Sequence, residues 1–549
     1  MTRNRIVNYL LGTALLAGCA AGGVLQLHAM AQDKKENDKK ESDKKPEPAA
    51  PASTQPDSIT EGTVTVGGQA IAYKAVAGTL TVGATSSQDA MIGLDGKLLA
   101  DSGEKAPDKI DDAAPTARIF YAAYFKKGTT AETRPITFLY NGGPGSSTMW
   151  LHMGSFGPRR VVTTDTVHEA AAPYKIVNND YSLLDVSDLV FIDAPGTGFS
   201  RIFGKNKEAA FWGLDPDAHA FERFIRRFLT KYERWNSPKY IFGESYGTPR
   251  SAVLSADLQN VDLNGIILLS AILSFDNSID GSKGNPGVDQ AFALGLPTFA
   301  ASAWYHKKIA NTSTALEPFL AEVEQFALGE YMSALLQGSE LPEARRQAVA
   351  AKLHDYTGLP VAYLLKSDLR VEGGAFSKML QEPEGITTGR LDTRYQGPDY
   401  DPLSSGADYD PQSNAISSAY TTAINQYLRA DLKYGENWTY KPSLYGEPGF
   451  KWPFRESDGG PPNVMGDLAK TMKANPKTKV LLAGGYYDLA TPFFEGIYEM
   501  HHLPIPHELQ ANISYHYYQA GHMIYVNDGI LKQFHEDVAA FIKGTQAAK

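Results

Sequence analysis

Tyr240-Ile241-Phe242-Gly243-Glu244-Ser245-Tyr246-Gly247-Thr248-Pro249 joins a short apolar run to a stretch that can continue as a helix to about Leu258. The apolar triplet reads as a buried strand. A Gly-x-Ser-x-Gly pattern between a strand and a helix holds its serine on a sharp turn with the hydroxyl exposed, and small residues at 243 and 247 let strand and helix approach there. In a chain with 50 glycines the pattern alone is weak, so its weight comes from its flanks. A serine hydroxyl is a poor nucleophile at neutral pH, so Ser245 needs a base, and that base needs a group to orient it.

Outward from this turn, continuous apolar runs bounded by turn residues predict buried strands at 136–140, 189–192, 240–242 and 266–269. Between two of them, Ala218, Phe221, Phe224, Ile225, Phe228 and Leu229 recur at helical spacing behind Asp217 as an N-cap. Strands alternating with helices predict an α/β domain with a mostly parallel sheet and helices on both faces. The rhythm resumes after residue 455, with runs at 480–483 and 513–517 and a closing amphipathic helix through Ile530, Phe534, Val538 and Phe541. These late runs carry what Ser245 lacks. Asp488 follows the first through Gly484-Gly485-Tyr486-Tyr487, and His522 follows the second in Gln519-Ala520-Gly521-His522-Met523. Serine, acid, histidine, each on a turn after a strand, is the α/β-hydrolase order.

Acyl transfer also needs N–H groups aimed where negative charge develops. Asn141-Gly142-Gly143-Pro144-Gly145-Ser146-Ser147, directly after the strand ending at Tyr140, is a glycine-dense turn that exposes such donors. No lysine follows it in P-loop spacing, which disfavours a nucleotide site.

Residues 59–273 and 456–549 are thus expected to form the catalytic domain, with a mainly helical cap inserted at 274–455, where helical periodicity runs through 316–336, 342–353 and 417–432. Asp399, Asp401, Asp408 and Asp410 fit no calcium-loop spacing and read as a solvated cap loop. His501, His502 and His507 lack a ligand pattern, and His-Glu-x-x-His is absent, so neither metal nor cofactor is expected. Tyr486 and Tyr487 read as packing residues.

Composition bounds the function classes. The 549 residues carry 52 Lys and Arg against 62 Asp and Glu, a net charge of −10, the wrong sign for a nucleic-acid partner. With 43% hydrophobic and 21% charged residues a large core is expected, and a single cysteine excludes a disulfide scaffold. Residues 1–31 have the charged-then-apolar layout of an export leader, with Arg3 and Arg5 ahead of the apolar run. Leu16-Ala17-Gly18-Cys19 reads as a lipoprotein box, which would place a lipid tether on Cys19, and Ala29-Met30-Ala31 as an ordinary cleavage site. Both readings stay open. Residues 32–58, rich in Lys, Asp, Glu and then Pro, read as a disordered linker, and an exported, periplasmic or extracellular protein is expected.

Four blocks in this order resemble the serine carboxypeptidases of the α/β-hydrolase fold: Asn141-Gly142-Gly143-Pro144-Gly145, residues 191–200 (Phe-Ile-Asp-Ala-Pro-Gly-Thr-Gly-Phe-Ser), Gly243-Glu244-Ser245-Tyr246 and Ala520-Gly521-His522-Met523. The resemblance implies an enzyme that releases C-terminal residues from peptides through an acyl-enzyme. It makes Ser245 the nucleophile, His522 the base and acid, Asp488 the orienting group, the N–H groups of Gly143 and Tyr246 the oxyanion donors, and Asn141 and Glu244 the partners of the substrate's terminal carboxylate. A carboxylate facing Glu244 must share a proton with it, which favours the acidic side. The chain departs from the family at two points. Ser155-Phe156-Gly157-Pro158 stands where members commonly have Glu-Leu-Gly-Pro, removing one acid from the carboxylate network and leaving Arg159 and Arg160 as candidate substitutes. Ser146 stands where many relatives have cysteine. An esterase or acyltransferase would use the same triad, and a non-catalytic binding protein on this scaffold is the remaining alternative.

Overall fold

The computed structural model of the chain describes residues 55–100, 102–103, 109–454 and 461–547. The expected export leader, Cys19 and all of the expected linker before Gln55 lie outside them. Gln55–Ser58 do not behave as linker. The Gln55 side chain accepts the Gly435 N–H, Asp57 pairs with Lys231 at 2.6 Å, and the first strand starts at Ser58.

Among the described residues a ten-stranded sheet is built from β1 (Ser58–Val66), β2 (Gln69–Gly83), β3 (Thr116–Lys126), β4 (Ile136–Tyr140), β5 (Asp188–Ile192), β6 (Arg201–Phe203), β7 (Lys239–Glu244), β8 (Gly265–Leu269), β9 (Lys479–Gly485) and β10 (Ile513–Tyr518). Its order is β1-β2-β3-β5-β4-β7-β8-β9-β10, with β6 pairing the far end of β3. The first three strands run antiparallel and β3 meets β5 antiparallel; from β5 to β10 every pair is parallel. This is the α/β-hydrolase fold. Alternate residues feed opposite faces: Tyr240 and Phe242 enter one core cluster while Ile241 enters the other, and β8 and β9 alternate likewise. Burial on both faces is why these strands are continuously apolar rather than alternating.

The helices that matter for the site are α1 (Met149–Gly154), α2 (Leu214–Lys231), α3 (Gly247–Asp257), α4 (Gln290–Tyr305), α5 (Pro411–Ala430), α6 (Met465–Ala474), α7 (Phe493–His501) and α8 (Asp528–Ala547). Helix α2 begins three residues before Asp217, so that side chain is not its cap. Asp217 is fully buried and pairs with Arg250 of α3, because a carboxylate shut away from water requires a charged partner.

Packing divides the stretch expected as one cap. Residues from Ile279 to Leu380 form their own core together with Tyr487, Leu489, Phe493 and Phe494. Helix α5 instead drives Ile416, Tyr420, Ile424 and Tyr427 into the core on one face of the main sheet. Residues 441–444 also bond back to the loop after β4, with the Ser147 N–H donating to Pro442 O and the Leu444 N–H to Gly145 O. The aspartates expected as solvated are in part structural: Asp399 makes a buried pair with Lys378 at 2.7 Å, and Asp410 caps α5.

Candidate functional site

Ser245 sits where β7 ends and α3 begins, at φ 60°, a left-handed conformation that a non-glycine residue rarely adopts. The turn is held by the Ser245 N–H donating to Leu269 O at 2.9 Å and by both the N–H and hydroxyl of Thr248 donating to Ser245 O at 2.8 Å. Gly243 permits the tight crossing of strand and helix: a Cβ there would stand 2.1 Å from Gly247 O. The serine itself is half-buried while its neighbours are buried.

Asp488 and His522 follow β9 and β10, adjacent parallel strands, and meet directly: His522 Nδ1 lies 2.8 Å from Asp488 Oδ2. Asp488 is fully buried, and Oδ1 accepts the N–H groups of Ala490 and Thr491 while Oδ2 also accepts the Thr491 hydroxyl at 2.7 Å. With both oxygens committed, the carboxylate cannot rotate away from the imidazole. Burial disfavours the charged imidazole, but the charge and hydrogen bond of Asp488 and the charge of Glu244 outweigh it, and the His522 pKa moves upward.

A strap from the inserted stretch fixes both turns. The His522 N–H donates to Leu391 O at 2.7 Å, the Leu489 N–H to Arg390 O at 3.0 Å and the Thr393 N–H to Tyr487 O at 3.0 Å. Asp410 accepts the N–H groups of Arg390 and Leu391. Sequence reading missed this strap because its bonds to the two turns run through backbone groups that no residue type announces, and missed Thr491 because its role depends on what packing places opposite its hydroxyl.

The loop after β4 runs against the serine turn: a Cβ on Gly142 would lie 2.4 Å from the Tyr246 nitrogen, so only glycine allows the loop to approach the Tyr246 and Gly247 nitrogens this closely. Arg250 ties the loop down from beneath, donating from Nη1 to Asn141 O at 2.7 Å while paired with Asp217. The Asn141 side chain accepts the Leu151 N–H at 3.0 Å through Oδ1 and hydrogen-bonds Glu244 and Tyr525. Glu244 is 2% exposed, and burial pushes its pKa up to about 7 against the lowering influence of His522, Tyr525 and Asn141. The Tyr525 hydroxyl stands 3.0 Å from each Glu244 oxygen.

All seven residues singled out from sequence therefore lie at the ends of four strands of the main sheet, β4, β7, β9 and β10. The candidate substitutes for the missing acid are engaged elsewhere: Arg159 donates to Asn178 and Thr63 O, and Arg160 pairs with Asp528 at 2.8 Å. Tyr487 is buried, as expected of a packing residue. Among the described residues, no group of three or more His, Cys, Asp or Glu side chains is arranged to hold a metal ion.

Comparison with known proteins bears on this geometry. Residues 110–281 match the family model of the serine carboxypeptidases. A pheromone-processing carboxypeptidase of Tuber melanosporum is 24% identical over 243 residues, 40% of this chain and 37% of that protein. A carboxypeptidase Y homologue of Chaetomium globosum is 25% identical over 180 residues, 31% of this chain and 30% of that one. The chain spans between 22% and 37% of the length of the first three curated relatives it matches. Among solved structures, a prohormone-processing carboxypeptidase from Saccharomyces cerevisiae aligns with a TM-score of 0.45 and 15% identity, covering 85% of this chain and 91% of that chain.

Proposed function

We propose, from the match of residues 110–281 to the serine carboxypeptidase family model, that the protein is a serine-type carboxypeptidase, with Ser245, His522 and Asp488 as its catalytic triad. The observation that carries the reading is the buried carboxyl of Glu244 beside the nucleophile. A general esterase has no use for it, whereas a peptide's C-terminal carboxylate can be held there by sharing its proton.

In this reading His522 Nε2 takes the proton of the Ser245 hydroxyl as its oxygen attacks the last peptide carbonyl. Asp488 holds Nδ1–H and stabilises the imidazolium that forms. The N–H groups of Gly143 and Tyr246 receive the oxyanion. The departing amino acid takes the proton from His522, leaving an acyl group on Ser245, and water activated by the same imidazole releases the shortened peptide. Asn141 and Glu244 hold the carboxylate and so place the last peptide bond over the serine. The helical part of the insertion covers the strand ends and shapes the pocket for side chains. Export, the compartment it leads to and a lipid on Cys19 rest on the N-terminal sequence alone. Among the described residues no helix is long and apolar enough to cross a membrane.

The test is a matched pair of peptides, identical except for a free or an amidated C-terminus, followed by mass spectrometry with the wild type and Ser245→Ala. Loss of the last residue from the free peptide only, absent in the variant, supports the reading. Equal cleavage of both peptides removes carboxylate recognition, and cleavage by Ser245→Ala moves the nucleophile elsewhere.

A further inference from the structure

The carboxylate site lacks the glutamate that the resemblance calls for at Ser155, and the structure shows what occupies that neighbourhood. Ser155 is buried and its hydroxyl turns back to Leu151 O at 2.6 Å. One residue earlier, a Cβ on Gly154 would lie 2.5 Å from the Tyr420 hydroxyl and 2.7 Å from the Tyr525 ring. Two tyrosines, from α5 and from the turn three residues beyond His522, thus fill the space at the end of α1. One of them, Tyr525, sets its hydroxyl 3.0 Å from each oxygen of Glu244 and also hydrogen-bonds Asn141.

We propose that Tyr525 takes the place of the missing acid as the partner of Glu244, a positioning residue that sets the pH range over which a peptide's terminal carboxylate is held. This rests on the carboxypeptidase reading and deepens it. A second carboxyl beside Glu244 would have to share a proton with it; a tyrosine donates a hydrogen bond and stays neutral. Burial and the Glu244 charge hold the Tyr525 hydroxyl well above the ordinary tyrosine range, so it remains a donor throughout the working range. A donor favours the ionised form of its acceptor, so Tyr525 pulls down a Glu244 pKa that burial has raised. The other groups facing Glu244 act in both directions: His522 lowers its pKa, Asp488 raises it, Asn141 donates to it, and Tyr420 is close enough for its own titration to feel Glu244 and Arg160. No second carboxylate stands in hydrogen-bond contact with Glu244 among the described residues, so its ionisation, tuned by Tyr525, is the step that ends carboxylate binding as pH rises.

The experiment measures kcat/KM against pH, from 5 to 9, on a free-carboxylate peptide with wild type, Tyr525→Phe and Glu244→Gln, each checked for an unchanged melting profile. Wild type is expected to show an alkaline limb. Tyr525→Phe is expected to move that limb up by about 1 pH unit, because the donor favouring ionised Glu244 is gone, and to raise KM more than it lowers kcat. Glu244→Gln is expected to abolish the limb. A uniform loss in Tyr525→Phe with the limb unmoved overturns the proposal and makes Tyr525 a packing residue. A limb that persists in Glu244→Gln instead overturns the assignment of Glu244 to carboxylate binding, and the proposal with it. If Tyr525→Phe melts early, Tyr525→Met, which fills the space without a donor, decides: a limb moved up from the wild-type position supports the proposal, and one at the wild-type position with reduced rate overturns it.

Discussion

Asp488 accepts four hydrogen bonds, one of them from His522, and that concentration on one buried side chain gives the imidazole a single tautomer and direction. Asp488→Asn keeps the shape but lets the amide donate where a carboxylate only accepts, so kcat is expected to fall by about 10⁴ with the fold retained, read by ester turnover and circular dichroism. The pH dependence separates two substrates. In the proposed mechanism His522 must be neutral to act as base, so both peptide and ester hydrolysis are expected to decline as pH falls below its raised pKa. On the same reading Glu244 must carry its proton to receive a carboxylate, so peptide hydrolysis alone is expected to decline as pH rises through about 7. Parallel profiles for free peptide and ester would contradict this. At this scale the proposed triad was legible because Ser245, Asp488 and His522 each follow a readable strand. Tyr525 and Thr491 were not, since tyrosines and threonines are common and their roles depend on what tertiary packing places opposite them.

The strands were legible as elements because a parallel sheet covered on both faces leaves continuous apolar runs, and all six expected strands are present within a residue or two of their predicted ends. The misplaced cap at Asp217 shows the limit: a polar residue ahead of an apolar stripe signals a helix start only if its partner is local, and here the partner is Arg250 on α3. That pair joins α2 to α3 and, through Asn141 O, to the loop after β4. Arg250→Met leaves Asp217 buried and unpaired and is expected to cost about 3–5 kcal/mol, while the double variant Arg250→Met with Asp217→Leu recovers most of it. Chemical denaturation of the wild type and the two variants checks this; a double variant no better than the single one would mean that the bond to Asn141 O, not the charge pair, holds the elements together.

At the scale of the whole molecule, several buried carboxyls among the described residues have no ion-pair partner. Glu495 and Glu499 stand one turn apart on α7, both fully buried; Glu499 holds the N–H groups of Leu273 and Ser274, while both Glu495 oxygens lack a hydrogen-bond partner among the described residues. Burial, then the charge of Glu499, pushes the Glu495 pKa well up, and burial raises that of Glu499 to about 7. A carboxyl whose native pKa lies above its unfolded value keeps a proton that the unfolded chain releases. The stability it contributes is full below about pH 4.5 and is lost as pH rises through the native pKa. The melting temperature is therefore expected to fall between pH 5 and pH 8, and Glu495→Gln to melt higher than wild type at pH 8 with little change at pH 5. An equal offset at both values would contradict the titration. The organisation at this scale was only partly readable. Helical periodicity marks the insertion, yet nothing in the sequence shows that residues 279–380 carry their own core while α5 belongs to the face of the sheet, because both are amphipathic helices and only packing tells them apart.

The most direct test of the carboxypeptidase reading is mass spectrometry of a mixed peptide library incubated with the purified protein at several pH values, beside Ser245→Ala. The expected result is ladders shortened one residue at a time from the C-terminus, strongest on the acidic side of pH 7 and absent with Ser245→Ala. Esters hydrolysed through Ser245 with every peptide left intact would contradict that reading and make the protein an esterase or acyltransferase.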